Sequence, residues 1–324
     1  MTPTPHDALF KATYSDPQRA AAHLAVALPE AVVAQLDLST LLVLPGSYID
    51  PALAQSASDL LYEVQLRQGG SALVYVLFEH QSSPDERMAL RLFFYTARIW
   101  ERWIAENPRV NRLPPVLPLV LYHGDRPWSV GLELSDLFGL PEGAAEPLGS
   151  YGVRLRYLLR DLSERSDAEL QIAARDAMDL LVQLLLKHGR DEDLFEQLGR
   201  WAEVWRAVAA GPGLRALQLV LSYIAHVQGP RSQDELRPFL VKTLGRRGEE
   251  AYMSWTTEIE ARGEARGEAR GKREMFLSLL SQRFGAPSAA VLARVEAAST
   301  EQLTAWTERF FRADSAEELV SAEG

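Results

Sequence analysis

The chain has 324 residues, enough for a sizeable core and two domains or three. Its 34 basic and 44 acidic side chains leave a formal charge of −10, which disfavours a protein that coats nucleic acid and admits only a local basic groove. It has no cysteine, which excludes a disulfide framework and a thiolate metal site. No apolar run reaches the roughly 20 residues of a membrane span, and MTPTPHDALFK lacks the basic start and apolar core of a signal peptide. The expectation is a cytoplasmic protein with no membrane association.

In chain order, Asp7–His23 predicts a helix interrupted by Asp16-Pro17. His6 and Asp7 at its start read either as cap residues or as groups near an active centre. Lys11 is the only lysine before Lys187, so it is either a solvated helix residue or the one nearby ammonium available to a site. Ala25–Val43 continues the helical periodicity and is closed by Pro45-Gly46. Residues 57–66 then read as a strand carrying Asp59, with Glu63 on the same parity. After the break at Gly69-Gly70, the apolar run Ala72–Phe78 reads as a central strand buried on both faces and ends in Glu79-His80-Gln81.

Two hairpin-linked strands can set Asp59 beside Glu79, with Gln81 near both. Paired carboxylates at strand ends suit a hard cation such as Mg²⁺, which keeps several waters. A Glu and a Gln at a strand tip also simply mark where a strand meets water. Asp50 is a second acidic candidate on spacing alone.

Pro84-Asp85-Glu86 opens a helix that runs to Glu106. Arg87, Arg91, Arg98 and Arg102 fall within a stripe about 60° wide, and Leu90, Phe93, Phe94, Ala97, Trp100 and Ile104 oppose it as a core face. The stripe is either a solvated face or a set of contacts to a phosphodiester backbone. Val116–Tyr122 predicts another buried strand, which Pro118 pushes toward an irregular or edge position. His123 follows in a loop, and Val153–Leu159 predicts a last strand.

From Ser166 the pattern turns helical: Asp167–His188, Leu194–Ala210, Leu214–Val227 and Ser232–Leu244. Glu260–Lys272 repeats E-A-R-G, which aligns glutamate, arginine and glycine stripes along a helix, forms no internal Glu–Arg pair at i,i+4, and reads as a linker. Amphipathic helices follow over Glu274–Phe284, Ala289–Ala298 and Thr300–Arg312.

Four stretches occur in order: His6-Asp7-Ala8-Leu9-Phe10-Lys11, Ser58-Asp59-Leu60-Leu61-Tyr62, Glu79-His80-Gln81-Ser82-Ser83-Pro84 and Leu119-Val120-Leu121-Tyr122-His123-Gly124. Together they resemble the Rpn family of recombination-promoting nucleases, also described as YhgA-like transposases. The resemblance is strongest over residues 5–165. The spacing of Asp59 and Glu79-His80-Gln81 is similar to a PD-(D/E)XK nuclease core in which Gln replaces the usual Lys.

The resemblance implies an α/β fold: a PD-(D/E)XK-like core with a mixed central sheet flanked by helices over residues 1–165, then an all-α region. The latter divides into a helical region (166–255), the repeat linker (256–273) and a small helical domain (274–324). It selects Asp59 over Asp50 and implies a Mg²⁺-dependent DNA endonuclease. Asp59 and Glu79 would be metal ligands, Gln81 a catalytic partner, Glu63, His6 and Lys11 accessory groups, and Arg91, Arg87 and Arg98 contacts to DNA. The other reading is a weakly active or inactive DNA-binding regulator of the same fold that self-associates through its helical half. A third reading, a three-acid transposase, is disfavoured because the motif pattern assigns no third acidic residue to such a triad.

Overall fold

The apolar run after Gly70 is the middle strand of the sheet. The computed structural model describes residues 4–45, 59–79, 84–109, 111–140, 143, 148 and 151–321, with backbone alone at 77–79 and 233. Its strands are β1 (Leu36–Val43), β2 (Leu60–Leu66), β3 (Ser71–Glu79), β4 (Val116–Tyr122) and β5 (Leu158–Asp161). They form a mixed sheet in the order β1-β2-β3-β4-β5. Pairing is antiparallel from β1 to β3 and parallel from β3 to β5. Gly69 and Gly70, at φ 97° and 86°, supply the left-handed backbone that closes the β2–β3 hairpin.

Helices α1 (Pro5–Tyr14), α2 (Pro17–Ala27) and α3 (Glu30–Val33) precede the sheet, and α4 (Met88–Glu106) carries the chain from β3 to β4. Met88, Leu92, Tyr95 and Ile99 recur at helical spacing on α4 and bury against Leu61, Leu73, Tyr75 and Val120 on one sheet face. Each such burial stabilises by about 1.5–3 kcal/mol. The expected core face of this helix is thus displaced: Phe94 and Ile104 are about half exposed, at 51% and 52%. The stripe drawn opposite the arginines misses the sheet because the arginines border the buried face and do not oppose it.

After β5 come α5 (Asp167–Ala173), α6 (Ala177–His188), α7 (Leu194–Arg200), α8 (Ala202–Ala210), α9 (Leu214–Gln228) and α10 (Arg231–Leu244). Nearly all of α6 is buried, from Met178 to Leu186, including the polar Asp179 and Gln183. It packs with α1 and α2 behind the second sheet face, where the Tyr62 hydroxyl donates to the Tyr14 carbonyl at 2.8 Å.

Several elements depart from the sequence reading. The first helix is two helices, because Asp16 caps a new one through the Gln18 and Arg19 amides. Residues 36–43, expected to be helical, form β1. Its register jumps between Asp37 and Leu42, where Asp37 accepts from the Ser39 amide and hydroxyl. That irregularity removes the two-residue alternation by which a strand is recognised.

β4 is an interior strand, not an edge. The Leu73 amide donates to the Pro115 carbonyl, so alternation turns Pro118 toward β5, whose ladder begins only at Leu119. The missing N–H therefore costs no ladder bond. β5 starts five residues later than the expected Val153–Leu159 and shares only Leu158 and Leu159 with it.

The chain divides into two compact units, Met1–Tyr252 and Met253–Gly324. Helix α11 (Arg246–Phe284) includes the whole E-A-R-G repeat. No i,i+4 Glu–Arg pair lies wholly within the repeat, but Glu268 pairs with Lys272 inside it at 2.7 Å, and the flanking Glu258 and Glu274 pair with Arg262 and, at 2.8 Å, with Arg270. The second unit closes its own core with α12 (Ala289–Ala297), α13 (Thr300–Arg309) and α14 (Ala316–Ser321) around Phe276, Leu280, Trp306 and Phe310. Among the described residues no helix is long and apolar enough to cross a membrane.

Candidate active site

Asp59 sits one residue before β2. The β2–β3 ladder pairs Leu60 with Val76 and Leu61 with Tyr75. Extending it by one pair sets Asp59 opposite Leu77, with Tyr75 and Glu79 at the two diagonal positions, roughly 7–8 Å away between Cα atoms. Glu79 is also the last residue of the parallel ladder, where it pairs with Tyr122. The two acids therefore lie at the carboxyl end of the central strand, on adjacent strands, as the hairpin reading requires. Glu79 is described by its backbone alone, and Gln81 lies outside the described residues.

The Asp59 side chain is 7% exposed. The buried Tyr75 hydroxyl donates to its Oδ2 at 2.8 Å, and the Tyr75 ring packs on Tyr95 of α4 with centroids 5.5 Å apart. Burial pushes the Tyr75 phenol well above its usual pKa, the Asp59 charge adds to this, and the Arg91 charge opposes it. Tyr75 thus remains a protonated donor to the carboxylate. Arg91 reaches back from α4 to Asp85 at 3.4 Å, and its charge is felt at the Tyr75 phenol.

The donor chemistry fits a hard divalent cation: carboxylate oxygens at strand ends, with no sulfur. Asp59 and Glu79 would hold it. Among the described residues no group of three His, Asp or Glu side chains is placed to bind a metal; the side chains from Leu77 to Ser83 lie outside that set.

A family model described as "Putative transposase, YhgA-like" matches residues 4–212. The chain belongs to this YhgA-like family. Among curated relatives, the inactive recombination-promoting nuclease-like protein RpnE of Escherichia coli K12 is 34% identical over 200 residues, 61% of this chain and 63% of its own length. The recombination-promoting nuclease RpnD of E. coli O157:H7 is 35% identical over 196 residues, 60% of this chain and 71% of its own. RpnC of E. coli K12 is 33% identical over 192 residues, 59% of this chain and 60% of its own. The chain therefore spans less than two thirds of RpnE and of RpnC. No solved structure matches significantly.

The YhgA-like segment contains every candidate position, but the fold does not gather them all. Glu63 shares the Asp59 parity four residues further along β2, about 13 Å away at ~3.3 Å per residue, and faces Leu73. Lys11 is exposed in the last turn of α1. Of the pair at the start of α1, Asp7 takes the capping role, exchanging hydrogen bonds with Thr4.

His6 instead is buried. Arg190 donates to its Nε2 at 2.9 Å, which leaves Nδ1–H to donate to the Tyr223 hydroxyl at 3.0 Å. Its ring lies 5.0 Å from that of His123, the residue after β4, so it approaches the strand ends through His123. The His123 Nδ1–H donates to the Leu186 carbonyl at 3.0 Å.

Arg87 is exposed at the start of α4. Arg98 and Arg102 pair with Glu101 and Glu106 of their own helix. Arg91, a member of the arginine stripe, bears on the Tyr75 phenol through its charge. The sequence reading missed Tyr75 and Asp85. Tyr75 carried one usable signal, its two-residue parity with Glu79, but an aromatic inside an apolar strand reads first as core.

Proposed function

We propose that this YhgA-like chain is a divalent-metal-dependent DNA endonuclease with a PD-(D/E)XK-type core over residues 1–165. Asp59 and Glu79 would be the ligands of Mg²⁺, and Gln81 would orient the attacking water. The observation that carries this reading is the buried Asp59 carboxylate, oriented by Tyr75 at the end of the strand pair that finishes in Glu79. The names of RpnC and RpnD as recombination-promoting nucleases support it. Bound Mg²⁺ would supply an acidified water and screen the scissile phosphate. Arg91, with Arg87 and Arg98 further out, would meet the DNA backbone, and His6, Lys11 and Glu63 remain accessory candidates. The same reading places the protein in the cytoplasm. It treats residues 166–255 as a helical support, 256–273 as a linker and 274–324 as a small helical domain, with self-association through this half.

Incubation of supercoiled plasmid with the full chain tests the proposal. Nicking is expected with Mg²⁺, none with EDTA, and a loss of roughly 10²–10³-fold in Asp59→Asn and in Glu79→Gln. Cleavage unchanged in both variants would refute the site. The name of RpnE as an inactive nuclease-like protein favours one second reading, a DNA-binding regulator. Retained DNA binding without any cleavage would establish that reading instead.

A further inference from the structure

We propose that Tyr75 is a positioning residue for the Asp59 ligand: its hydroxyl holds Oδ2 and sets the plane of the carboxylate, and so fixes how Asp59 is turned toward a cation. The inference rests on the metal-site reading above and deepens it.

Three observations carry it. The hydroxyl proton of a tyrosine points to one acceptor at a time, and here it goes to Asp59 Oδ2 at 2.8 Å. Neither partner is free to turn away: Tyr75 is fully buried in β3 and Asp59 is 7% exposed. Tyr75 is in turn fixed from outside the sheet, because its ring packs on Tyr95 while Leu73, Leu92 and Val120 share its cluster. The diagonal tyrosine thus holds Asp59, at the head of β2, from the neighbouring strand.

The chemical consequence concerns which cation geometry the site accepts. Mg²⁺ demands near-octahedral oxygens and takes one or two carboxylates with several waters, whereas Ca²⁺ tolerates bidentate carboxylates and irregular shells. An Asp59 whose Oδ2 already accepts from Tyr75 has less lone-pair capacity for bidentate ligation, which favours the first arrangement. Groups that orient a metal ligand without touching the metal typically change its affinity by roughly 10–100-fold when removed. Tyr75→Phe removes the hydroxyl alone and keeps the ring volume.

A buried tyrosine on the other sheet face provides the control. Tyr62 is also fully buried, and its hydroxyl donates to a backbone carbonyl, that of Tyr14. Calorimetric titration of Mn²⁺ and of Ca²⁺ into the full chain, beside thermal unfolding, compares Tyr75→Phe, Tyr62→Phe and Asp59→Asn. Tyr75→Phe is expected to bind Mn²⁺ roughly 10–100-fold more weakly and to lose discrimination against Ca²⁺. Tyr62→Phe is expected to lose thermal stability with its Mn²⁺ affinity unchanged. Wild-type Mn²⁺ affinity in Tyr75→Phe would overturn the proposal, as would equal weakening in Tyr62→Phe, which would mark the effect as general softening of the sheet. Failure of the parent reading looks different: Mn²⁺ then binds neither the unaltered chain nor any variant, or binds Asp59→Asn as well as the unaltered chain, and the inference falls with it.

Discussion

Each face of the sheet buries a carboxylate that accepts a tyrosine hydroxyl, and the two sites differ in how they are closed. On the face covered by α1, α2 and α6, Asp179 has no exposed surface. Its Oδ1 accepts from Tyr14 at 2.7 Å and from His23 Nδ1 at 2.9 Å, and its Oδ2 from Gln183 at 2.9 Å. Arg160 of β5 reaches Gln183 from the sheet. Both oxygens are thereby engaged by side chains from three helices, which makes Asp179 a joint between elements. Asp59, on the α4 face, sits at a strand end beside the strand that finishes in Glu79. The same chemical pair, Tyr–O–H to carboxylate, is architecture where donors surround it and a candidate for chemistry where it borders a strand end.

The comparison is broken most directly by removing each carboxylate. Asp179→Ala strands Tyr14, His23 and Gln183 in a sealed site and is expected to cost about 3–5 kcal/mol in urea unfolding. Asp59→Asn keeps an oxygen for the Tyr75 hydroxyl and is expected to change stability by less than about 1 kcal/mol, while it removes cleavage. Equal destabilisation by the two would erase the distinction.

A smaller effect tests the loop at the strand ends. A Cβ on Gly124 would lie 2.0 Å from the Tyr122 hydroxyl, and the Tyr122 ring is fully buried and packed edge-on to Trp128 at 5.0 Å. Gly124→Ala is therefore expected to cost about 1–3 kcal/mol as overpacking, read as a lower unfolding midpoint.

A third carboxylate, partly in water, sharpens the comparison at the weak end. Burial raises the Asp167 pKa, but the hydrogen bonds and charges of His188 and Lys187 outweigh it and hold the group below the usual carboxylate range. Its contribution is present above the unfolded pKa, about 3.9, and is lost as pH falls through the lowered folded value. Asp167→Asn should flatten this acid limb of the stability curve in urea unfolding at stepped pH. An unchanged limb would remove Asp167 from the account.

Much of this was legible in the residues, and the exceptions have physical causes. The central strand, the hairpin and the helical half announce themselves through long periodic runs and glycine punctuation. β1 was hidden because a local Asp37–Ser39 turn breaks its alternation. β4 was misplaced because Pro118 forbids only the hydrogen bond that β5 does not reach. The Asp59–Glu79 relation followed from hairpin parity, but no parity argument reveals the Tyr75 hydroxyl or separates Glu63 from its neighbours by distance. Those depend on which ring fills the space between sheet and helix.

The hairpin has one more consequence, in the order of assembly. Asp59 and Tyr75 are 16 residues apart in sequence, whereas the parallel pairing of Leu73 with Val116 spans 43. Closing the shorter loop loses less chain entropy and proceeds in roughly microseconds. The part of the molecule that holds the candidate chemistry thus draws on the most local contacts of the sheet, and the non-local pairing to β4 sets the pace of the remainder.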